Sequence, residues 1–592
     1  MYIATIPNRS SPPAILLRES YRAGGKVKSR TLANLTPWPP AKIAALRRVL
    51  AEDPGVLEAT GDARSPGGPS DAASFEILRS LPHGHVAAVL GTLRRLGLES
   101  ILAQQRSAAR DAVVALIVAR VIDPRSKLAT ARDLGDKTAF TSLGEALGLG
   151  ATTPDDLYAA MDWLLLRQPA IEKALAGRHL AEGTLVLYGV TSTYFEGGTC
   201  PLAHFGHSRD GKRDKLQIVF GLLCNAAGCP VGVEVFEGHT ADPKTLTKPI
   251  EKIQRRFGLQ RVVLVGDRGM LTEARITQEL RPGGLDWITA LRAPAIRALA
   301  EAGVIHPSLF GERDLAEIAS PAYPGERLVA CRNPLLAEER ARKRTALLAA
   351  TAKELERIVA ATRRAKNRLR GQDQIGLRVG KVLDRFKMGQ HFRLEITADS
   401  FRYWRDDEAV AAEAALDGIY IVRTSLPADA LNAEQAVRAY KGLAAAERAF
   451  RSLKKVDLKV WPIHHRLADR VRAHVLLCML AYYVEWHMRQ VWVPVLFDDD
   501  DQAAGQARRT SVVAATQRSA RAERKAVTQR TPAETQAPEG WPVHGFQTLL
   551  ADLATLAKNR VRFAGSDAAM MTIYTQPTPL QQRALDLLQV SL

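Results

Sequence analysis

Paired cysteines are missing from this chain. Its 592 residues hold only Cys200, Cys224, Cys229, Cys331 and Cys478, an odd, scattered set with no Cys-x-x-Cys spacing. That excludes a disulfide framework and suits a reducing compartment. Long apolar runs are missing too. The longest, Val475 to Val484, has ten residues, too few to span a bilayer. The stretch Met1 to Pro7 has no basic segment leading into an apolar one, so no secretory leader is expected. No solenoid repeat period is present. These absences predict a soluble cytoplasmic protein with no membrane partner. Acidic residues are in deficit, 63 Asp and Glu against 82 Lys and Arg, for a net charge of +19. The excess points to a polyanionic partner, nucleic acid first.

What is present is an ordinary globular balance, 46% apolar and 24% charged, which excludes a disordered or fibrous chain. The length implies about three to four domains. Ala14 to Tyr21 and Lys26 to Leu35 read as strands flanking a Gly24-Gly25 turn. Their basic residues, Arg18, Arg22, Lys26, Lys28 and Arg30, suit either a solvated face or a DNA-backbone contact. Residues 41–51 read as helix and Pro54 to Ser70 as a flexible connector. Helical spacing runs from His85 to about Arg178.

The pattern changes at Leu185. Apolar strand runs at Leu185–Tyr188, Leu216–Cys224, Pro230–Phe236, Arg261–Val265 and Leu285–Leu291 alternate with helical stretches at Pro243–Phe257 and 272–282. This order predicts a mixed sheet covered by helices, the α/β class. Glu338 to Arg370 carries eleven basic and four acidic residues and reads as a solvated helix or a basic arm along phosphates. Strand-like alternation returns at 376–404 and at Asp417–Thr424. A long amphipathic helix is expected from Asn432 to Lys455 and an apolar core helix from Val471 to Met488. Asp498 to Gly540 reads as a disordered linker, followed by a short helical tail.

Two acidic residues stand out. Asp267 follows the strand Val262–Val265 within Gly266-Asp267-Arg268-Gly269. Ligands of open α/β sheets gather at the carboxyl ends of strands, so Asp267 is a candidate metal ligand or a turn aspartate. Tyr440, Glu447 and Lys454 recur every seven residues on one helical face, with Arg451 four after Glu447. That face suits a metal holding phosphate, or a surface salt-bridge ladder. Gly206 to Arg213 nearly fits a phosphate loop, but Arg213 replaces the required Ser or Thr. His464, His465 and His474 lack zinc spacing.

With these residues placed, the chain resembles the DDE transposases of bacterial insertion sequences, in the IS-four-like group. The likeness rests on LVLYGVTSTYFEGG from Leu185, GHSRDGKRDKLQIVFGLL from Gly206, VEVFEGHTADP from Val233, VVLVGDRGM from Val262, DGIYIVRT from Asp417 and YKGLAAAERAFRSLK from Tyr440. The resemblance implies a ribonuclease H-like core in two parts, residues 179–292 and 417–490. A β-rich insertion at 293–416 would separate them. A DNA-binding region at 1–178, a β-hairpin followed by helices, would precede them, and a linker with a helical tail would follow at 491–592.

The resemblance further implies three carboxylates holding two Mg²⁺ ions, with Mn²⁺ as an alternative. The metals would activate a water or a DNA 3′-hydroxyl for attack on a phosphodiester. Asp267 takes the second place and Glu447 the third, with Tyr440 and Lys454 completing the glutamate signature and Arg451 beside it. Leu443 departs from it, since arginine is usual there. Arg209, Lys212, Arg213, Lys215 and Arg268 are the expected phosphate contacts. The implied partner is double-stranded DNA, both the terminal inverted repeats and the target, bound by a homodimer at the bacterial nucleoid.

One departure decides the expectation about activity. Gly189 occupies the place of the first aspartate. Tyr188 and Val190 point to the opposite strand face, and Glu182 and Glu196 lie too far along it. A chain that binds DNA and cleaves it weakly or not at all is expected, either an impaired transposase or a non-catalytic repressor or partner of an intact copy.

Overall fold

The computed structural model describes residues 2–6, 13–23, 26–36, 75–310, 314–499, 517–528, 543–563 and 570–592, with isolated positions at 43, 501, 504–505, 508 and 511–513. It divides into two compact units, Met1–Ala73 and Ser74–Leu592. The first holds an antiparallel sheet of β1 (Tyr2–Ile6), β2 (Ala14–Ala23) and β3 (Lys26–Asn34), in that order. The β2–β3 pairing closes at Ala23 opposite Lys26. The expected glycine turn, the 41–51 helix apart from Ile43, and the connector lie outside the described residues.

The second unit is mixed α/β. It opens with β4 (Phe75–Pro82), followed by helices that include α1 (Gly84–Arg95), α2 (Ala108–Ile122) and α3 (Pro154–His179). Thr153 and Asp156 cap α3 reciprocally, and Pro154 starts it. The main sheet follows: β5 (Leu185–Tyr194), β6 (Gln217–Asn225), β7 (Pro230–Glu237), β8 (Val263–Gly266), β9 (Asp286–Ala290), β10 (Leu315–Ile318), β11 (Arg327–Arg332) and, later in the chain, β14 (Ile419–Thr424). Its order is β10-β11-β14-β9-β8-β5-β6-β7. β8 runs parallel to β5 and to β9, and the other pairs are antiparallel. β6 is buried at every position but its last, as a strand covered on both faces must be. The edge of β7 is closed by side chains. Glu172 on α3 accepts from Val233 N–H at 2.9 Å, and Gln168 and Lys252 donate to Val233 O. At Val233 the edge therefore offers no free ladder groups to another chain.

Between β11 and β14 lie α4 (Pro334–Thr362), α5 (Gln372–Phe386), the two-stranded ribbon β12 (Phe392–Ile396) and β13 (Phe401–Arg405), and a helix at Asp407–Ala414. The expected β-rich insertion is therefore mostly helical, and its strands β10 and β11 extend the main sheet. The strand reading of 376–404 holds for β12 and β13 but fails up to Phe386, where Ile375, Val379, Val382, Leu383 and Phe386 recur at helical spacing and face a small core of their own.

The expected helix from Asn432 to Lys455 is interrupted. It comprises α6 (Ala433–Lys441), α7 (Leu443–Arg451) and a wide π-type turn at Ser452–Val456. Gly442, a weak helix former, marks the first break. The core helix is α8 (Ala468–Trp492), apolar nearly all round because α2, α3 and β7 pack on it. The expected boundary at residue 178 does not separate compact units. Helices from 84 onward share one hydrophobic core with the sheet, and pattern alone cannot tell which apolar faces meet.

The C-terminal region also differs from expectation. Ala520–Thr528 is helical inside the expected linker, with Ala522 buried. The tail adds β15 (Ala557–Phe563), which pairs with β4 and with β16 (Met571–Tyr574). Trp492 Nε1 donates to Ala584 O at 2.9 Å and ties the last helix to α8. None of the described helices is long and apolar enough to cross a membrane.

Candidate active site

The parallel register of β5 and β8 sets the site. Tyr188 pairs with Gly266, so the next residues stand level: Gly189 midway along β5 and Asp267 just past the end of β8. Gly266 has no side chain because Leu271 fills its space; a Cβ there would lie 2.9 Å from Leu271 Cγ. Asp267 then folds the chain back. Its carboxylate accepts from Gly269 N–H at 2.7 Å, and its carbonyl accepts from Met270 and Leu271 N–H. The turn role therefore holds, yet Asp267 is exposed and most of its carboxylate lone pairs stay open.

Helix α7 packs on β5. Ala445, Ala446, Ala449 and Phe450 form its buried stripe, which leaves Glu447 exposed. The stripe lies over Gly189. A Cβ at that position would meet Phe450 Cε2 at 2.8 Å and Ala446 Cβ at 3.7 Å. Phe450 is held there by an edge contact with Phe220, with ring centroids 5.7 Å apart. Gly189 thus faces the two residues that flank Glu447 on their helix. Tyr188 points to the other face, where its hydroxyl donates to Thr245 O at 3.1 Å.

The phenol of Tyr440 lies within electrostatic reach of both acidic residues. Burial pushes its hydroxyl pKa up to about 12, helped by the negative charges of Asp267 and Glu447 and opposed by Arg268. Asp267, Glu447 and Arg268 thus act on one phenol. Among the described residues Glu447 makes no hydrogen bond or ion pair. Of the two readings of that face, the salt-bridge ladder finds no Arg451–Glu447 ion pair among the described residues. Both side chains are exposed, and such a pair gains little in water.

Lys454 is placed differently from the shared face that heptad spacing predicts. The π-type turn swings it into the protein, where Nζ lies 2.5 Å from Asp210 Oδ1 and 3.2 Å from Thr191 Oγ1. Both charged side chains are buried. Asp210 belongs to the loop between β5 and β6, which also docks through Ser192: Arg209 N–H donates to Ser192 Oγ, and that hydroxyl donates to His207 O. Within this loop Arg209 is half-buried against Asp242 at 2.5 Å, and Lys215 pairs with Glu196 at 3.2 Å. Lys212 and Arg213 are exposed, and neither side chain is engaged by another described residue. Of the five expected phosphate contacts, the four that lie in this loop thus separate into two structural cations and two open ones. Arg268 is exposed beside Asp267. Sequence reasoning missed Phe450 and Asp210. The repeat of small and apolar residues at 445, 446, 449 and 450 carried the only signal for the first, and nothing local signalled the second.

Residues 199–484 match the family model of the transposase DDE domain. Residues 3–57 match the N-terminal domain of IS1634 family transposases. The chain carries the domains of an insertion-sequence transposase. The DDE match takes in Asp267 and Glu447 but begins after β5, so Gly189 lies outside it. No curated protein matches this chain.

Proposed function

We propose that this transposase holds DNA ends at the Asp267–Glu447 site but is impaired in breaking them. The reading extends the resemblance to an IS-four-like element with terminal inverted repeats bound by a homodimer. The run β5-β6-β7, antiparallel, followed by β8 and β9 parallel to β5, gives the strand order 3-2-1-4-5, which supports a ribonuclease H-like core.

A DDE domain implies divalent cations. Asp267 and Glu447, both exposed with open oxygens, fit one hard cation. A second ion fits poorly, because Gly189 offers no ligand and Phe450 occupies the space where one would project. One Mg²⁺ held by the two carboxylates would neutralise phosphate charge and polarise a phosphorus–oxygen bond. The chain's own residues supply the rest. Arg268 places a cation beside the phosphate site, Tyr440 stays protonated and able to donate a hydrogen bond, and Lys212 and Arg213 reach the backbone beyond. Binding is therefore complete while the chemistry lacks one of its three acidic ligands.

The carrying observation is the Phe450 ring in the place of the first carboxylate. The test incubates duplex DNA containing the element ends with the chain and with Gly189→Asp, in Mg²⁺ and in Mn²⁺. Binding by both and stronger cleavage by Gly189→Asp is expected; equal cleavage by the two would overturn the impairment. The same gap favours a second role, a repressor that occupies the ends and excludes an intact copy.

A further inference from the structure

We propose that His179, Cys229 and His487 form a structural site for a borderline-soft divalent cation, zinc by its ligand chemistry. The three come from separate elements: the last residue of α3, the residue after the β6–β7 turn, and the penultimate turn of α8. Their ligating atoms all lie within 4.8 Å of one another, with Cys229 Sγ 4.0 Å from His487 Nε2. Two imidazoles and a thiolate are a zinc donor set, with water or a fourth side chain closing the tetrahedron. Bond lengths of ~2.3 Å to sulfur and ~2.0 Å to nitrogen set ligand spacings of roughly 3.5 Å. Binding therefore needs a contraction of roughly an ångström, within reach of small side-chain rotations.

The surroundings are built to hold these rings. Tyr483 packs edge-on against both imidazoles, with centroids 5.5 and 4.6 Å away, and its hydroxyl lies 3.0 Å from His179 Nε2 as an outer partner. The backbone of Cys229 is fixed as well, its N–H donating to Asn225 Oδ1 at 2.9 Å. Cys229 is fully buried, so its thiol is protonated until a metal arrives. As the sulfur–metal bond forms, that proton passes to water. The thiolate charge offsets part of the repulsion from Arg95 and Arg178, which lie near His487.

The site would act on the catalytic region through the turn. Gly228, beside Cys229, has φ +86°, and a Cβ there would lie 2.8 Å from Ala445 Cβ. The turn therefore sits on α7, two residues before Glu447. A cation here pins the turn to α3 and α8 and so fixes the floor under that helix. A second cluster, His204, Glu237 and His239, is half-buried to exposed, and His204 Nε2 lies 3.0 Å from Pro201 O; it has no comparable enclosure.

The test uses the full-length chain stripped with chelator and titrated with Co²⁺ and then Zn²⁺. About one equivalent of Co²⁺, a sulfur-to-cobalt charge-transfer band, its loss on adding Zn²⁺, persistence in excess Mg²⁺ and a raised Tm are expected. Cys229→Ser should remove the band with the far-ultraviolet circular dichroism unchanged. If that variant does not fold, His487→Gln should weaken Co²⁺ binding at least tenfold. A wild-type chain that binds Co²⁺ with no thiolate band, or a band that survives Cys229→Ser, would overturn the site. None of these readouts depends on DNA cleavage.

Discussion

Position 189 is a case of a missing side chain already replaced. The Phe450 ring stands 2.8 Å from where the Cβ would be, closer than real side-chain carbons approach. Restoring the carboxylate alone forces the ring to tilt out of its Phe220 contact, at a cost of order 1–3 kcal/mol. Two variants separate chemistry from packing. Gly189→Asp should fold with a lowered denaturation midpoint and gain some Mg²⁺-dependent cleavage. Gly189→Asp combined with Phe450→Leu should cleave faster and recover part of the stability. If the double variant is no faster than the single one, the ring is not the obstacle. Gly189 itself was legible because a resemblance supplied a register in which an aspartate was due. The ring was not legible, since its contact joins residues 261 positions apart in sequence.

Lys127 gives a second prediction at this scale. It is buried, and burial, with repulsion from Arg120, pulls its pKa from the ordinary 10.5 to about 7. His465 and Cys478 face it as well. The folded value is below the unfolded one, so the unfolded chain holds the proton more tightly, and stability falls as pH drops from ~10.4 towards 7. Each unit corresponds to ~1.4 kcal/mol. Lys127→Met should therefore be more stable than the parent at pH 7, by an amount of order a few kcal/mol. The advantage should shrink towards pH 10. Unfolding curves at several pH values measure it, and a gain that does not vary with pH would contradict the assignment.

At the scale of elements, the glutamate helix is held from behind by buried charge. Ser452, at the end of α7, donates to Glu485 at 2.7 Å. Arg489 bridges Glu485 and Asp457 at 2.7 and 2.9 Å. Lys454 and Asp210 pin the next turn to the β5–β6 loop. Removing one member of a buried pair costs about 3–5 kcal/mol. Asp210→Asn should lower stability by roughly that amount and loosen residues 206–215, seen as faster amide exchange in the loop. A loss below about 1 kcal/mol would mean that the pair behaves as a surface one. The strands of the sheet were legible because apolar runs bounded by turn residues are their direct imprint. The 452–456 turn was not, because heptad arithmetic assumes 3.6 residues per turn throughout, and one wide turn moves Lys454 off the shared face. The α5 helix was misread because Leu377 and Val379 alternate locally while the longer spacing is helical.

At the scale of the molecule, the +19 charge and the transposase domains agree on DNA, while the structure decides which cations are available for it. Charge counts do not separate a cation that braces the fold from one that meets a partner; that difference rests on neighbours distant in sequence. Arg209 and Lys215 already have Asp242 and Glu196, so phosphate would have to displace a carboxylate. Lys212 and Arg213 have no such competitor among the described residues. For each phosphate neutralised, log affinity falls against log salt with a slope of about −0.9. Lys212→Ala and Arg213→Ala should each flatten that slope by about 0.9 on duplex DNA of any sequence and leave the unfolding midpoint unchanged. Arg209→Ala should do the reverse, lowering the midpoint with little effect on the slope. If Arg209→Ala flattens the slope while the other two leave it unchanged, the loop meets DNA with its braced side and the assignment of its cations is inverted.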